Sequence, residues 1–295
     1  MRILITGATG FIGKHLVPLL SRHELLLLDT NEVSIPNRKV TSLKADLADI
    51  SAWGKSVLDF APEACCHLAW KGLPDYSFAR CLENFTISAL LFEYLTLNGC
   101  KKIFSAGTCW EYGNLNGPVK EDQIPEEVSL FASFKTSVRM VGESLSRQRN
   151  VNFIWGRMFF VYGPGQRETS LIPLCYAAFA KGKEPVVKNP NTVCDFIHVS
   201  DVALAIKALI EAEGINGVFN IGSGVQTPVV RVCQYVAQAA GYKGELPEKT
   251  NGNGKDGFWA DVSRLRGKTS WKPLMPLEKG IKETIKELRK KHGFS

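Results

Sequence analysis

The sequence has no paired metal-binding or redox spacing. Its eight cysteines, at positions 65, 66, 81, 100, 109, 175, 194 and 233, include no Cys-x-x-Cys and sit beside no matching histidine pair. That excludes a zinc module or a disulfide framework and leaves reduced thiols as the expectation, with no metal site. Long hydrophobic runs are also missing. Stretches such as Leu25–Leu28 are strand-sized, far short of the ~20 residues that cross a bilayer. Arg2 leads at once into Ile3–Leu4–Ile5 and then Gly7, too short a run for the apolar core of a secretory signal. No basic block is interleaved with aromatics, so neither nucleic acid nor membrane is expected as a partner. The net charge of +7 suits a small anionic ligand. These absences point to a cytoplasmic protein.

What is present is ordinary globular composition, 45% hydrophobic and 22% charged, which excludes a disordered chain. Strand-like runs at Arg2–Thr6, Glu24–Asp29, Val40–Lys44, Ala64–Ala69, Lys102–Ser105 and Val151–Arg157 alternate with helical patterns. The helical patterns cover Phe11–Ser21, Ser51–Phe60, Phe78–Asn98 and Leu130–Arg149. Such alternation predicts an α/β fold, a Rossmann-type doubly wound parallel sheet. After Tyr162-Gly-Pro-Gly165 the pattern shifts to short helices (Leu171–Lys181, Val202–Ala212, Val229–Ala240) and short strands (Pro185–Val187, Val218–Ile221). The glycine-rich stretch 241–257 reads as a loop. A dinucleotide-binding lobe over residues 1–165 and a smaller mixed α/β lobe over 166–295 are therefore expected, with segments shared across a soft boundary. Leu277, Ile281, Ile285 and Leu288 fall on one face of a C-terminal helix, as in a docked surface helix.

The strongest local signal is Thr6-Gly-Ala-Thr-Gly-Phe-Ile-Gly13, after a strand and opening a helix. In that setting Gly7 permits the tight turn and Gly10, with Phe11 and Ile12 behind it, brings backbone close to a pyrophosphate. Gly13 allows close helix–strand packing. Asp29 ends the second strand, where a carboxylate hydrogen-bonds the adenosine ribose. It repels a 2′-phosphate, which favours NAD over NADP.

With these residues the chain resembles the extended short-chain dehydrogenase/reductase family, the nucleotide-sugar epimerases, dehydratases and reductases. The resemblance runs through Lys44-Ala-Asp-Leu-Ala-Asp49, which puts Asp46 and Leu47 at the adenine, and His67-Leu-Ala69, whose Ala69 lies along the cofactor. It continues through Arg157 to Gly165, Asp195-Phe-Ile-His-Val-Ser-Asp201 and Trp259-Ala-Asp-Val-Ser263. The segment from Tyr162 to Val202 is more similar to CDP-abequose/paratose-type 4-keto reductases than to galactose epimerases. Membership implies a nucleotide-diphosphate sugar as substrate and a homodimer built on a four-helix bundle. The bundle would use Phe78–Asn98 and Leu130–Arg149, with Phe92, Tyr94, Val138 and Val141 as its apolar contacts.

The family's catalytic set is a Ser/Thr, a Tyr and a Lys, the last two four residues apart on one helix face. The resemblance places Thr108 at the hydroxyl position and Lys135 at the lysine. The tyrosine slot of Phe131-Ala-Ser-Phe-Lys135 holds Phe131, which has no ionisable group. Three explanations stay open: a Tyr→Phe change made to trap a substrate, a natural enzyme using Thr108, Cys109 or Tyr112 instead, or a non-catalytic dinucleotide sensor. Cys109 and Trp110 stand where the 4,6-dehydratases carry an Asp–Glu pair, which argues against dehydration. Cys194 stands where the family usually has an arginine for the substrate diphosphate. Arg167, Lys255 and Arg264 are then the candidates for that contact, and Asn84 is a candidate active-site amide. The expectation is redox chemistry at C4 of a nucleotide-linked hexose, by 4-keto reduction or by epimerisation.

Overall fold

The computed structural model describes residues 1–33, 35, 37–245 and 256–292. Its first half runs β1 (Arg2–Thr6), α1 (Gly13–Leu19), β2 (Glu24–Asp29), β3 (Val40–Lys44), α2 (Ile50–Phe60), β4 (Ala64–His67), α3 (Phe78–Leu97), β5 (Lys102–Thr108), β6 (Gly117–Val119), α4 (Leu130–Gln148) and β7 (Asn152–Met158). The second half runs β8 (Phe160–Tyr162), α5 (Leu171–Phe179), β9 (Val193–Cys194), β10 (Phe196–His198), α6 (Val199–Glu211), β11 (Gly217–Ile221), β12 (Thr227–Pro228), α7 (Val229–Ala240), β13 (Phe258–Ala260), α8 (Ser263–Lys268) and α9 (Leu277–His292).

Seven strands form one parallel sheet in the order β11-β7-β5-β4-β1-β2-β3. Strands buried on both faces read as unbroken apolar runs, which is why Ile3, Leu4, Ile5 and Leu25–Leu28 are all enclosed. One face carries a core that includes Leu16, Val17, Ile206 and Leu209; the other carries Trp53, Leu91, Phe92 and Val138. Side-chain caps start the long helices. Ser77 accepts from the amide of Arg80, Ser129 from that of Ala132, and Asp49 from that of Ser51. Among the described residues no helix is long and apolar enough to cross a membrane.

A third core of Tyr162, Ile172, Tyr176, Val232, Val236, Ile281, Ile285 and Leu288 unites α5, α7 and α9. The C-terminal helix thus docks as its apolar stripe requires. Two carboxylates of the Asp195–Asp201 motif hold this region together. Asp195 accepts from the amides of Ser223, Gly224 and Ala260 and from the Ser223 hydroxyl; Asp201 accepts from the amides of Leu274 and Met275.

Several expectations need correction. Pro185–Val187 forms no strand, and Val186 is 98% exposed. The strand expected at Val218–Ile221 is β11, which pairs with β7 and completes the main sheet instead of building the second lobe. Helix α6 likewise packs beside α1 under the sheet. Residues 199–221 thus lie with the seven-stranded sheet, because the edge of β7 needs a partner that only the later chain supplies. Most of the loop at 241–257 lies outside the described residues. Strands β6, β8, β9, β10, β12 and β13 are two or three residues long, too short for an alternating pattern to register.

Candidate active site

A cleft of about 670 Å³ opens along the carboxyl edge of the sheet. The strand order explains its position. The chain passes from β1 outward to β2 and β3, and from β4 the opposite way to β5 and β7, so the loops leaving β1 and β4 diverge. Gly7, Gly10, Phe11, Ile12, Gly13, Asp29, Asp46, Leu47, Ala69, Asn84, Thr108, Phe131, Lys135 and Arg167 all line it.

One end is built by the glycine-rich turn. Gly7 has φ +74°, and a Cβ on it would lie 2.8 Å from the amide nitrogen of Ala69. A Cβ on Gly13 would lie 2.2 Å from the Gly7 carbonyl oxygen, so α1 can approach the turn only with glycine there. Asp29 accepts from the Thr9 amide (2.9 Å), the Thr9 hydroxyl (2.9 Å) and the Asn31 amide (3.1 Å), and so fastens this turn to the end of β2. Between β1, β4 and α3 sits His67, with its ring nitrogens against Thr6 Oγ1 (2.7 Å) and Ser88 Oγ (3.0 Å). Burial pulls its pKa down to about 3, so the ring stays neutral.

Asp46 and its neighbours are tied down too. Asp46 accepts from the Ala48 amide and from Lys71 Nζ at 2.9 Å, and Lys71 also reaches Glu83 at 3.0 Å. These contacts hold the Asp46 carboxyl below the usual range. Asn84 spends its amide on the loop backbone, accepting from Lys71 N–H (2.6 Å) and donating to the carbonyls of Lys71 (3.0 Å) and Arg80 (2.8 Å). It positions the loop that carries Trp70.

At the other end stand Thr108 and Lys135. The amide of Thr108 donates to Glu111 Oε1 (2.9 Å) and its Oγ1 accepts from the amide of Trp110 (3.2 Å), which leaves the hydroxyl proton free to be donated. Glu111 is in turn fixed by Trp155 Nε1 and by a buried ion pair with Arg157 (3.0 Å). Lys135 Nζ donates to the Ala106 carbonyl (2.9 Å) and lies 3.7 Å from the centre of the Trp70 ring. Burial pulls its pKa down to about 7. Phe131 packs among Trp70, Tyr76 and Trp110, with ring centres 5.4, 4.9 and 5.7 Å away.

Several candidates lie elsewhere. Cys109 and Cys194 are buried in apolar cores outside the cleft. Burial pushes the Cys109 thiol up and that of Cys194 to about 11, which disfavours the thiolate of each. Small thiols follow the inward face of their elements. Tyr112 is also enclosed; its Oη donates to Asn220 Oδ1 (2.6 Å), and burial pushes its pKa to about 12. Arg264 lies with its guanidinium 4.9 Å from the centre of the Phe219 ring, beside the edge strand β11. Lys255 lies outside the described residues. Three aromatics, Trp70, Tyr76 and Trp110, line this end of the cleft; the sequence reading singled out only Trp110, and only as an argument against dehydration. Their signal was their position just after β4 and β5, at the strand ends where parallel sheets bind ligands.

Comparison with known proteins agrees with this arrangement. The chain is 28% identical to dTDP-4-dehydro-6-deoxyglucose reductase of Escherichia coli, over 97% of each protein. It is 25% identical to dTDP-L-rhamnose 4-epimerase of Burkholderia thailandensis, over 96% of this chain and 93% of that one. The crystal structure of UDP-glucose 4-epimerase from Thermotoga maritima superimposes with a TM-score of 0.86 at 26% identity, covering 99% of this chain and 100% of that one. The family model described as "NAD dependent epimerase/dehydratase family" matches residues 3–222. A turn that admits only glycine at Gly7 and Gly13, a strand-end carboxylate and a long cleft fit the dinucleotide named there, and the chain belongs to this family of NAD-dependent enzymes.

Proposed function

We propose that this enzyme is an NAD(P)-dependent oxidoreductase, with NAD preferred, acting at C4 of a nucleotide-linked deoxyhexose as a 4-keto sugar reductase. The observation that carries the reading is that Thr108 and Lys135 line the same cleft as the glycine-rich turn. Gly7 to Gly13 hold the cofactor diphosphate, Asp29 its adenosine ribose, Asp46 and Leu47 the adenine, and Lys135 the nicotinamide ribose. When bound, the nicotinamide exchanges a hydride with the sugar carbon. Thr108 orients the sugar oxygen through its free hydroxyl proton. Arg167, exposed on the second-lobe wall and in no ion pair among the described residues, takes the substrate diphosphate that Cys194 cannot. The E. coli reductase, related over nearly its whole length, supports 4-keto reduction.

C4 epimerisation with retained NAD is the second reading. It is favoured by Asp29 at the ribose end and by the relative from B. thailandensis. The enzyme works as a homodimer through α3 and α4.

The test is incubation of the purified protein with dTDP-4-keto-6-deoxyglucose and NADH. Reduction predicts one NADH oxidised per sugar alcohol formed. Interconversion of nucleotide-sugar C4 epimers with no net NADH consumption would replace this reading by the second. Bound dinucleotide with no sugar chemistry at all would overturn both.

A further inference from the structure

Phe131 leaves the usual slot without a phenol, and the described hydroxyls and amines of the site can be sorted by reach. Tyr112 and Cys109 face the interior, outside the cleft. Tyr162 lines the cleft, but its Oη donates to the Leu277 carbonyl (3.2 Å). Thr108 offers an aliphatic hydroxyl, which orients an oxygen but does not act as an acid near neutral pH. Lys135 directs Nζ at the Ala106 carbonyl and the Trp70 face.

Tyr76 is left. It lines the same cleft and is half-buried, and its hydroxyl has no hydrogen-bond partner among the described residues. Its ring centre is 4.9 Å from that of Phe131 and 5.4 Å from that of Trp110. The residue is not on a free loop. It directly precedes Ser77, the N-cap of α3, whose amide donates to Asp75 Oδ1 (2.9 Å), and its own carbonyl accepts from Cys81 Sγ (3.6 Å). A phenol held in ring contact with the vacated slot, open to the cleft and unpaired, has the chemistry that Phe131 lacks.

We infer that Tyr76 is the catalytic proton donor to the C4 oxygen of the sugar. The inference rests on the reductase reading above. In the reducing direction the carbonyl carbon gains a hydride whose source is the reduced dinucleotide, which leaves oxidised. The C=O π pair moves onto oxygen, and that oxygen takes the Tyr76 phenolic proton. The phenolate recovers a proton from water at the cleft mouth.

Four proteins test this: the parent, Tyr76→Phe, Phe131→Tyr and the double variant. Each is assayed by single-turnover NADH oxidation with dTDP-4-keto-6-deoxyglucose across pH. Each is also titrated calorimetrically with dTDP alone, a readout independent of turnover. Tyr76→Phe should lower kcat by about 10²–10⁴-fold. It should leave dTDP affinity and Tm as in the parent. Adding Phe131→Tyr to Tyr76→Phe should restore turnover to within about tenfold of the parent. Retention of parental kcat by Tyr76→Phe would overturn the assignment. So would an inert parent beside an active Phe131→Tyr, with the reductase reading intact. If neither parent nor Phe131→Tyr turns over any nucleotide keto sugar, the reductase reading falls, and the assignment with it.

Discussion

Lys135 shows how much a single residue stores in this site. Its amine is enclosed by Trp70 and the end of β5, and burial brings its pKa from 10.5 to about 7. The folded protein therefore binds fewer protons than the unfolded chain between those values. By linkage, stability rises with pH through that window, by at most about 1.4 kcal/mol per pH unit. The penalty is full below pH 7, where the folded state must bury a charge. Replacing Lys135 by Met removes the titration. In protein free of cofactor, Lys135→Met should melt above the parent near neutral pH, and the gap should close towards pH 10. A gap in Tm that stays constant over that range would show that Lys135 does not titrate in this way.

At the scale of the element, the turn from β1 into α1 is not self-supporting. Its conformation depends on Asp29 at the end of β2, whose oxygens hold both the amide and the hydroxyl of Thr9. Asp29 thus shapes the turn, and in the proposed reading the same carboxylate also meets the ribose. Asp29→Ala should weaken NAD binding by about tenfold or more, the scale of one lost charge-assisted hydrogen bond. It should weaken NADP less, because the repulsion of a 2′-phosphate disappears with the carboxylate. Titration of both cofactors against both proteins checks this, and equal affinities in the parent would remove the basis for the NAD preference.

At the scale of the molecule, α3 and α4 pack side by side against the sheet, and several large apolar side chains on them stay exposed. Phe92 and Val138, expected at a subunit contact, lie in the core instead, and Tyr94 donates its hydroxyl to the Gly54 carbonyl. Phe78, Leu82, Leu90 and Leu97 on α3, with Leu130 and Met140 on α4, are the exposed ones. Such a stripe is characteristic of an interaction surface. Light scattering at micromolar concentration should give a dimer, and Leu90→Glu should shift it to monomer. A parent that is monomeric there would rule out the bundle.

Much of the cofactor end could be read from sequence because its causes are local. The tight turn demands Gly7, the close helix demands Gly13, and Asp29 falls where β2 ends, so residue type and spacing carry the information. The parallel sheet followed for the same reason, since apolar runs alternating with helices admit few other packings. At the other end the family resemblance pointed to Thr108 and Lys135, and both line the cleft. Cys109 and Tyr112 are neighbours of Thr108 in the chain, and only the path of the 3₁₀ turn after β5 decides that their side chains face the core. Tyr76 and Trp70 lie far from Phe131 in sequence and join it because β4 and β5 are adjacent in the sheet, so their loops open onto one cleft. The placement of β11 is likewise a property of the whole sheet. Its sequence specifies a strand, but the unpaired edge of β7 determines where that strand pairs.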